Sequence, residues 1–341
     1  MREHVSSACS FFFKVNEKGK SSLEPRQDLS IIQAVELTKQ FGNEVAVQDI
    51  TFEIPRGAIF GFIGPSGGGK TTTLRLLTGL YEPTAGQVRV LGKSPKEFSQ
   101  STQAKIGYMP QLFALYHHLS VWENISFAAS LYGVGWRRKR LLNSLLEFVE
   151  LAEHKHKLAR NISGGMQRRL SLAATLVHNP ELLFLDEPTA GIDPVLRRKF
   201  WDHFEELQQQ GRTLLVTTQY VGEAVYCDYV GVLSHGRLLM VETPEGLRRR
   251  AFGGEAVDLR TTERITFAHL QELHHLPGID GEIKYLNDTT LRLIVDEAST
   301  AMPMLLEWCQ GQNIKVESIE EYLPPFDDVF VELLQGETNG A

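Results

Sequence analysis

The chain is poor in cysteine. There are three in 341 residues, Cys9, Cys227 and Cys309, none at the short paired spacing of a zinc ribbon. Three thiols do not make a disulfide scaffold, so a reduced cytosolic compartment is expected. Long apolar runs are also lacking. None approaches the roughly 18 residues of a membrane-spanning helix. The most apolar stretches, residues 58–63 and 182–185, have the length of buried strands. Phe11-Phe12-Phe13 is followed at once by Lys14, too short for the core of a signal peptide. No basic excess exists, since the net charge is −7. That argues against a nucleic-acid partner held by a general positive field. No internal repeat or low-complexity tract appears. What remains is an ordinary globular composition, 42% hydrophobic and 23% charged, in a chain long enough for one large domain and a smaller one.

The patterning divides the chain in three. Residues 1–30 show no sustained periodicity and are rich in Ser, Lys and Glu, so they read as a mobile extension. Residues 31–252 alternate strand and helix signals, which predicts an α/β fold with a mainly parallel sheet. Strands are expected near 50–54, 58–63, 181–186 and 213–217, with a helix opening near Lys70 and another over 194–210. Phe252-Gly253-Gly254 has linker chemistry. Residues 253–341 then read strand, helix, strand, strand, helix, strand, the ferredoxin-like order, closed by a short helix near 327–334.

The chemistry concentrates at two places. Gly64-Pro65-Ser66-Gly67-Gly68-Gly69-Lys70-Thr71 fits G-x-x-x-x-G-K-[ST], with a strand before it and a helix after. Glycines let successive backbone N–H groups face inward on phosphate oxygens, and the helix N-terminus adds partial positive charge. Lys70 is suited to bridge the β- and γ-phosphates, and Thr71 to bind Mg²⁺. The second place is the apolar strand that ends in Asp186-Glu187. Asp186 is suited to hold Mg²⁺ through water and Glu187 to act as general base toward the attacking water. Together they define a nucleotide triphosphatase.

Asn161-Ile162-Ser163-Gly164-Gly165-Met166-Gln167 narrows the class. It resembles the LSGGQ signature of ABC ATPases, with Ile162 for the leucine and Met166 for the glutamine. Met166 followed by Arg168 and Arg169 looks like the drug- and lipid-export branch, the daunorubicin-resistance type. Ser163 and the N–H groups of Gly164 and Gly165, at a helix start, form an anion site of the same kind as the P-loop. Further segments follow in the family's order. Residues 106–111 look like the Q-loop, with Gln111 reaching metal and water. Residues 190–194 look like the D-loop, with Asp193. Phe41 lies where the family stacks an aromatic under adenine. The resemblance also places Thr72 among the ATP contacts beside Gly64 to Thr71. It implies a P-loop fold of the ABC type, in which a parallel core sheet carries an antiparallel β subdomain and a helical subdomain. It further implies two paired ATP-binding subunits, a separate membrane permease and a place on the cytoplasmic face of the inner membrane.

One position departs from the family. The switch histidine is replaced by Gln219, whose amide can donate to the γ-phosphate but cannot carry a charge. The segment Pro324-Pro325-Phe326-Asp327-Asp328-Val329-Phe330 resembles the end of the exporter branch, where it supports subunit pairing. The basic runs at 136–140 and 248–250 read as solvated helix faces, or as contacts to anionic lipid or permease. The His117-His118 and His274-His275 pairs do not share a helix face, so they do not read as a metal site. The leading expectation is an ATP-hydrolysing subunit energising export. The alternatives are a soluble ABC ATPase and a nucleotide-responsive regulator of low turnover.

Overall fold

A computed structural model describes residues 30–338 apart from positions 113, 136, 280 and 281. The expected N-terminal extension, Cys9 and Trp136 of the first basic run lie outside the described residues. In chain order the elements are β1 (Ser30–Phe41), β2 (Glu44–Pro55), β3 (Ile59–Ile63), α1 (Lys70–Leu77), β4 (Ala85–Val90), α2 (Gln100–Gln103) and β5 (Ile106–Met109). Next come α3 (Val121–Leu131), α4 (Lys139–Phe148), α5 (Gly164–Leu176), β6 (Leu182–Asp186), α6 (Pro194–Gln209) and β7 (Thr213–Thr218). They are followed by β8 (Tyr229–Ser234), β9 (Arg237–Glu242) and α7 (Pro244–Phe252). The last third holds β10 (Glu255–Thr261), α8 (Phe267–Leu273), β11 (Ile283–Asn287), β12 (Thr290–Val295), α9 (Ala298–Gly311), β13 (Val316–Tyr322) and α10 (Phe326–Thr338).

The described residues form three sheets. The central one runs β5-β6-β7-β3-β8-β9, parallel except for its edge strand β9. β3, β6 and β7 are buried along their whole length. That explains their unbroken apolar runs, because a parallel sheet is covered on both faces. Successive residues serve opposite layers. Ile59, Ile63, Leu183, Leu185, Leu214 and Val216 join a core with helices α3, α4, α5 and α6. Phe60, Phe62, Leu182, Phe184 and Leu215 join a second core with α1 and the antiparallel sheet β2-β1-β4. α3 is fixed at its start by a capping box, in which Glu123 N donates to Ser120 Oγ and Ser120 N to Glu123 Oε2.

The third sheet has the order β11-β12-β10-β13, all antiparallel. Numbered within this part, that is 2-3-1-4, the ferredoxin-like arrangement. Its own core includes Val257, Leu259, Leu291, Leu293, Leu305 and Cys309. Burial pushes the Cys309 thiol up to about 11. Cys227 is also buried, and burial raises its thiol well above the usual range. Both are therefore poor nucleophiles at neutral pH.

The closing helix does not stay with this sheet. Phe326, Val329, Phe330 and Leu333 of α10 belong to the core of the larger unit, with Ala224 and Leu247. The run at 248–250 has a specific use. Arg248 Nε donates to the Pro324 carbonyl at 3.2 Å, and its guanidinium lies 4.2 Å from the centre of the Phe326 ring. Arg249 donates to the Asp296 carbonyl. These two arginines tie α7 to the segments that enter α9 and α10. Phe330→Ala is expected to destabilise the protein by about 3 kcal/mol, the usual scale for emptying such a site. Val331→Ala, at an exposed position, is expected to change little. Urea unfolding of both variants checks this, and equal midpoints would refute the docking of α10.

Candidate nucleotide site

Strands β6, β7 and β3 lie side by side and end at Asp186, Thr218 and Ile63. Loops leaving the carboxyl ends of parallel strands reach one edge of the sheet, where such folds bind ligands. The loop after β3 turns on a hydrogen bond from Gly68 N to the Pro65 carbonyl at 3.1 Å, and its arc at residues 65–67 is exposed. Gly64 packs so closely on β8 that a Cβ there would overlap the Leu233 carbonyl oxygen. Gly69 closes the loop with φ 97 as the N-cap of α1, a left-handed conformation natural to glycine. Thr71 and Thr72 are half-buried in the first turn of α1. Lys70 is buried, and its Nζ donates to the carbonyls of Gly64 and Pro65 at 2.8 and 2.9 Å. Burial pushes the ammonium below the usual lysine range, while Glu187 and Asp186 act against that shift.

Asp186 is fully buried. Its Oδ1 accepts from Thr71 Oγ1 at 3.0 Å and from Thr217 Oγ1 at 2.7 Å. Glu187 follows with φ 48, a left-handed conformation unusual for a residue with a side chain. Its N–H is held by both the carbonyl and the hydroxyl of Thr217, each at 3.0 Å. The carboxylate accepts at Oε2 from Gln111 Nε2 at 2.9 Å. Gln219, exposed at the end of β7, accepts at Oε1 from Ser66 Oγ at 2.9 Å. Lys70, Thr71, Asp186, Glu187, Gln111, Ser66 and Gln219 thus surround one cleft edge.

Ser163, Gly164, Gly165 and Asp193 form a separate group. Ser163 caps α5, its Oγ accepting from Met166 N at 3.3 Å. Asp193 caps α6, its Oδ1 accepting from Leu196 N at 2.9 Å. A Cβ on Gly165 would stand 2.8 Å from the Leu196 side chain, whereas Gly164 faces open space. No hydrogen bond among the described residues links Ser163 to the P-loop. Phe41 is 42% exposed at the end of β1. It meets Tyr81 edge-on at 5.2 Å, and Lys39 Nζ lies 4.9 Å from its ring centre.

Several participants were missed by sequence reasoning. Thr217 enters the sequence reading only as the end of an expected strand, and nothing in the pattern marks its hydroxyl. Tyr81 lies far from Phe41 in sequence. Arg168 was read as a branch marker, yet it is buried at the site.

The family model described as "ABC transporter" matches residues 47–190. A probable multidrug ABC transporter ATP-binding protein of Escherichia coli, YbhF, is 40% identical over 230 residues, covering 67% of this chain. That match spans only 40% of the relative's own length. The daunorubicin resistance ATP-binding protein DrrA3 of Streptomyces coeruleorubidus is 34% identical over 300 residues, 86% of this chain and 93% of the relative. Among solved structures, a dimeric post-hydrolysis state of the ATP-binding cassette MJ0796 bound to ADP and phosphate superimposes with a TM-score of 0.58. It is 26% identical and covers 62% of this chain and 98% of that one. The chain belongs to the ATP-binding subunits of ABC transporters, and its relatives lie in the drug-export branch.

Thr217→Val keeps the shape of the side chain but removes the hydroxyl that serves both acids. A loss of about 1–3 kcal/mol is expected, because Asp186 stays buried with a hydrogen bond missing. Thr217→Ser should restore most of it. Chemical denaturation of the two variants and the parent decides; equal stability of all three would remove Thr217 from the site.

Proposed function

We propose that this chain binds and hydrolyses ATP to energise export through a separate membrane permease, working on the cytoplasmic face of the cell's inner membrane. One observation carries the reading: the P-loop lysine and threonine, the acid pair, Gln111 and Gln219 converge at the carboxyl ends of β3, β6 and β7. Two-cassette pairing is part of the proposal. Each chain holds one P-loop and one signature segment, and Ser163, Gly164, Gly165 and Asp193 are proposed to complete the nucleotide site of a second copy or a related subunit. The dimeric MJ0796 cassette supports this. Residues 31–252 are proposed as the ATP-binding unit and 253–341 as a small C-terminal unit, with α10 crossing back to the first.

Magnesium fits the residues present. Asp186 Oδ2 is buried without a hydrogen-bond partner among the described residues, and the Thr71 hydroxyl sits on the other oxygen. Among the described residues no cluster of three or more His, Cys, Asp or Glu is suited to a metal. That agrees with an ion whose remaining ligands are phosphate and water. When bound, Mg²⁺ would neutralise charge on the β- and γ-phosphates.

P-loop N–H groups and Lys70 bind and orient the phosphates. Phe41 offers its exposed ring to the adenine. Glu187 takes a proton from the water that attacks the γ-phosphorus, and Gln111 orients the carboxylate that does so. Gln219 donates from its amide nitrogen to the γ-phosphate, since Ser66 already occupies its oxygen. No helix among the described residues is long and apolar enough to cross a membrane, so the permease is proposed as another chain.

Phosphate release by the purified chain tests the reading. Glu187→Gln is expected to lower it on the order of 10²-fold or more while ATP binding persists and an ATP-bound dimer accumulates. A parent that binds ATP but releases no phosphate, alone or with co-purified membrane protein, would instead make the chain a nucleotide-responsive regulator. Gln219 allows a separate test. Gln219→Ala should lose roughly 10² to 10³ in rate with ATP affinity nearly unchanged. Gln219→His should equal or exceed the parent and acquire a pH dependence near 6.5, the ordinary imidazole value, that the parent lacks. A Gln219→Ala protein as fast as the parent removes this residue from the mechanism.

A further inference from the structure

Arg168 lies one turn into α5, five positions beyond the serine that caps the helix. It is only 6% exposed. A solubilising arginine would reach for water, but this one turns inward. Its Nη1 donates to the carbonyl of Gln111 at 3.0 Å, and its Nη2 donates to the carbonyl of Ala190 at 3.0 Å. The two acceptors belong to different loops. Gln111 follows β5, and Ala190 follows β6 three residues beyond Glu187.

Each of those loops also holds Glu187. Gln111 Nε2 donates to Glu187 Oε2 at 2.9 Å. Ala190 N donates to the Glu187 carbonyl at 3.2 Å. The contacts close a ring that runs from Arg168 to Gln111, to Glu187, to Ala190 and back to Arg168. A planar guanidinium can span two carbonyls in fixed directions, which a lysine ammonium cannot. Burying a cation is costly unless it is hydrogen-bonded and near negative charge. Both conditions hold, since the carboxylates of Glu187 and Asp186 act on this group. Glu187 needs such support because its backbone is left-handed, at φ 48, a conformation kept only where the surroundings over-determine it.

We propose that Arg168 is a positioning residue for ATP hydrolysis, holding the loops at Gln111 and Ala190 so that the Glu187 carboxylate is aimed at the attacking water. The inference rests on the reading of Glu187 as general base. It gives the signature helix a second task. Ser163 at its start is available to a partner's nucleotide, while Arg168 one turn later controls the acid of its own site. A shift of α5 when two cassettes close would therefore reach Glu187 through one side chain, and would reach both flanking loops together.

The test is ATP hydrolysis by Arg168→Lys and Arg168→Met, each made in the parent and in Glu187→Gln. In the parent, Arg168→Lys is expected to lower kcat about tenfold or more, with KM for ATP within threefold and the melting temperature little changed. Arg168→Met should lose more. In Glu187→Gln, single-turnover hydrolysis should not fall further on adding Arg168→Lys, because the group it positions is already gone. Parental kcat in both Arg168 variants overturns the inference. So does an equal loss in both backgrounds, which would mean that Arg168 acts on ATP binding or on the fold. Failure of Arg168→Lys to fold assigns the residue a structural role only and overturns it as well. A Glu187→Gln protein that hydrolyses ATP at the parental rate refutes the general base itself, an outcome distinct from the others.

Discussion

The buried carboxylate of Asp186 is the contact on which the site depends. It ends β6, between β5 and β7, with no exposure to solvent. Unpaired, a charge there would cost several kcal/mol. Hydroxyls from two directions meet it, Thr71 from the helix after the P-loop and Thr217 from the neighbouring strand. Satisfying one carboxylate thus sets the spacing between the phosphate loop, the acid strand and the switch strand. Thr217 then uses the same hydroxyl to hold the N–H of Glu187, so the second acid inherits its position from the first. Lys70 and Arg168 supply positive charge to both acids from opposite ends of the chain's motifs. The cluster is one electrostatic unit, and its members cannot be moved singly.

Packing makes that unit rigid. β3 sends Ile59 and Ile63 into the helical layer and Phe60 and Phe62 into the layer of the antiparallel sheet. A register slip of one residue would exchange these layers. The strand ends, and hence the loops they carry, are fixed by both cores at once. The C-terminal helix adds to the same side. α10 packs its apolar stripe into the core that contains Ala224, in the short helix just after Gln219, and Leu247 of α7. The small sheet is therefore tied to the larger unit through α7 and α10, and not only through the chain at Gly253.

Much of this is legible in the sequence. Phosphate binding needs consecutive backbone N–H groups, so its residues are contiguous and glycine-rich, and the loop from Gly64 to Thr71 stands out. The acid pair stands out because an apolar strand is ended by two carboxylates. The ferredoxin-like order of the last third is readable from alternating patterns, and the observed sheet order agrees with it. What stayed hidden acts across distance. The hydroxyl of Thr217 matters through a partner 31 residues away. The fork of Arg168 matters through carbonyls 57 and 22 residues away, and carbonyls carry no sequence signal. Arg248 looks like surface charge in one dimension, yet it is half-buried on the carbonyl of Pro324, while Arg249 stays exposed and still reaches the carbonyl of Asp296. The last helix has an apolar stripe whichever core receives it, so its choice of core was not in the pattern.

Gln219 shows how a departure from a family pattern becomes chemically specific once its neighbour is known. An amide has two ends, one accepting and one donating. The Ser66 hydroxyl occupies the oxygen, which leaves the nitrogen and its two hydrogens for the edge where the γ-phosphate is proposed to sit. A histidine would need the right tautomer, and protonation would add positive charge as the pH falls. The amide needs neither, because Ser66 sets its orientation. The replacement gives up stabilisation by a full charge and gains a donor whose presence does not depend on pH. Because Ser66 belongs to the exposed arc of the loop after β3, that loop and the residue just beyond β7 are joined by a direct contact. A displacement of that loop would therefore carry the amide at the end of β7 with it.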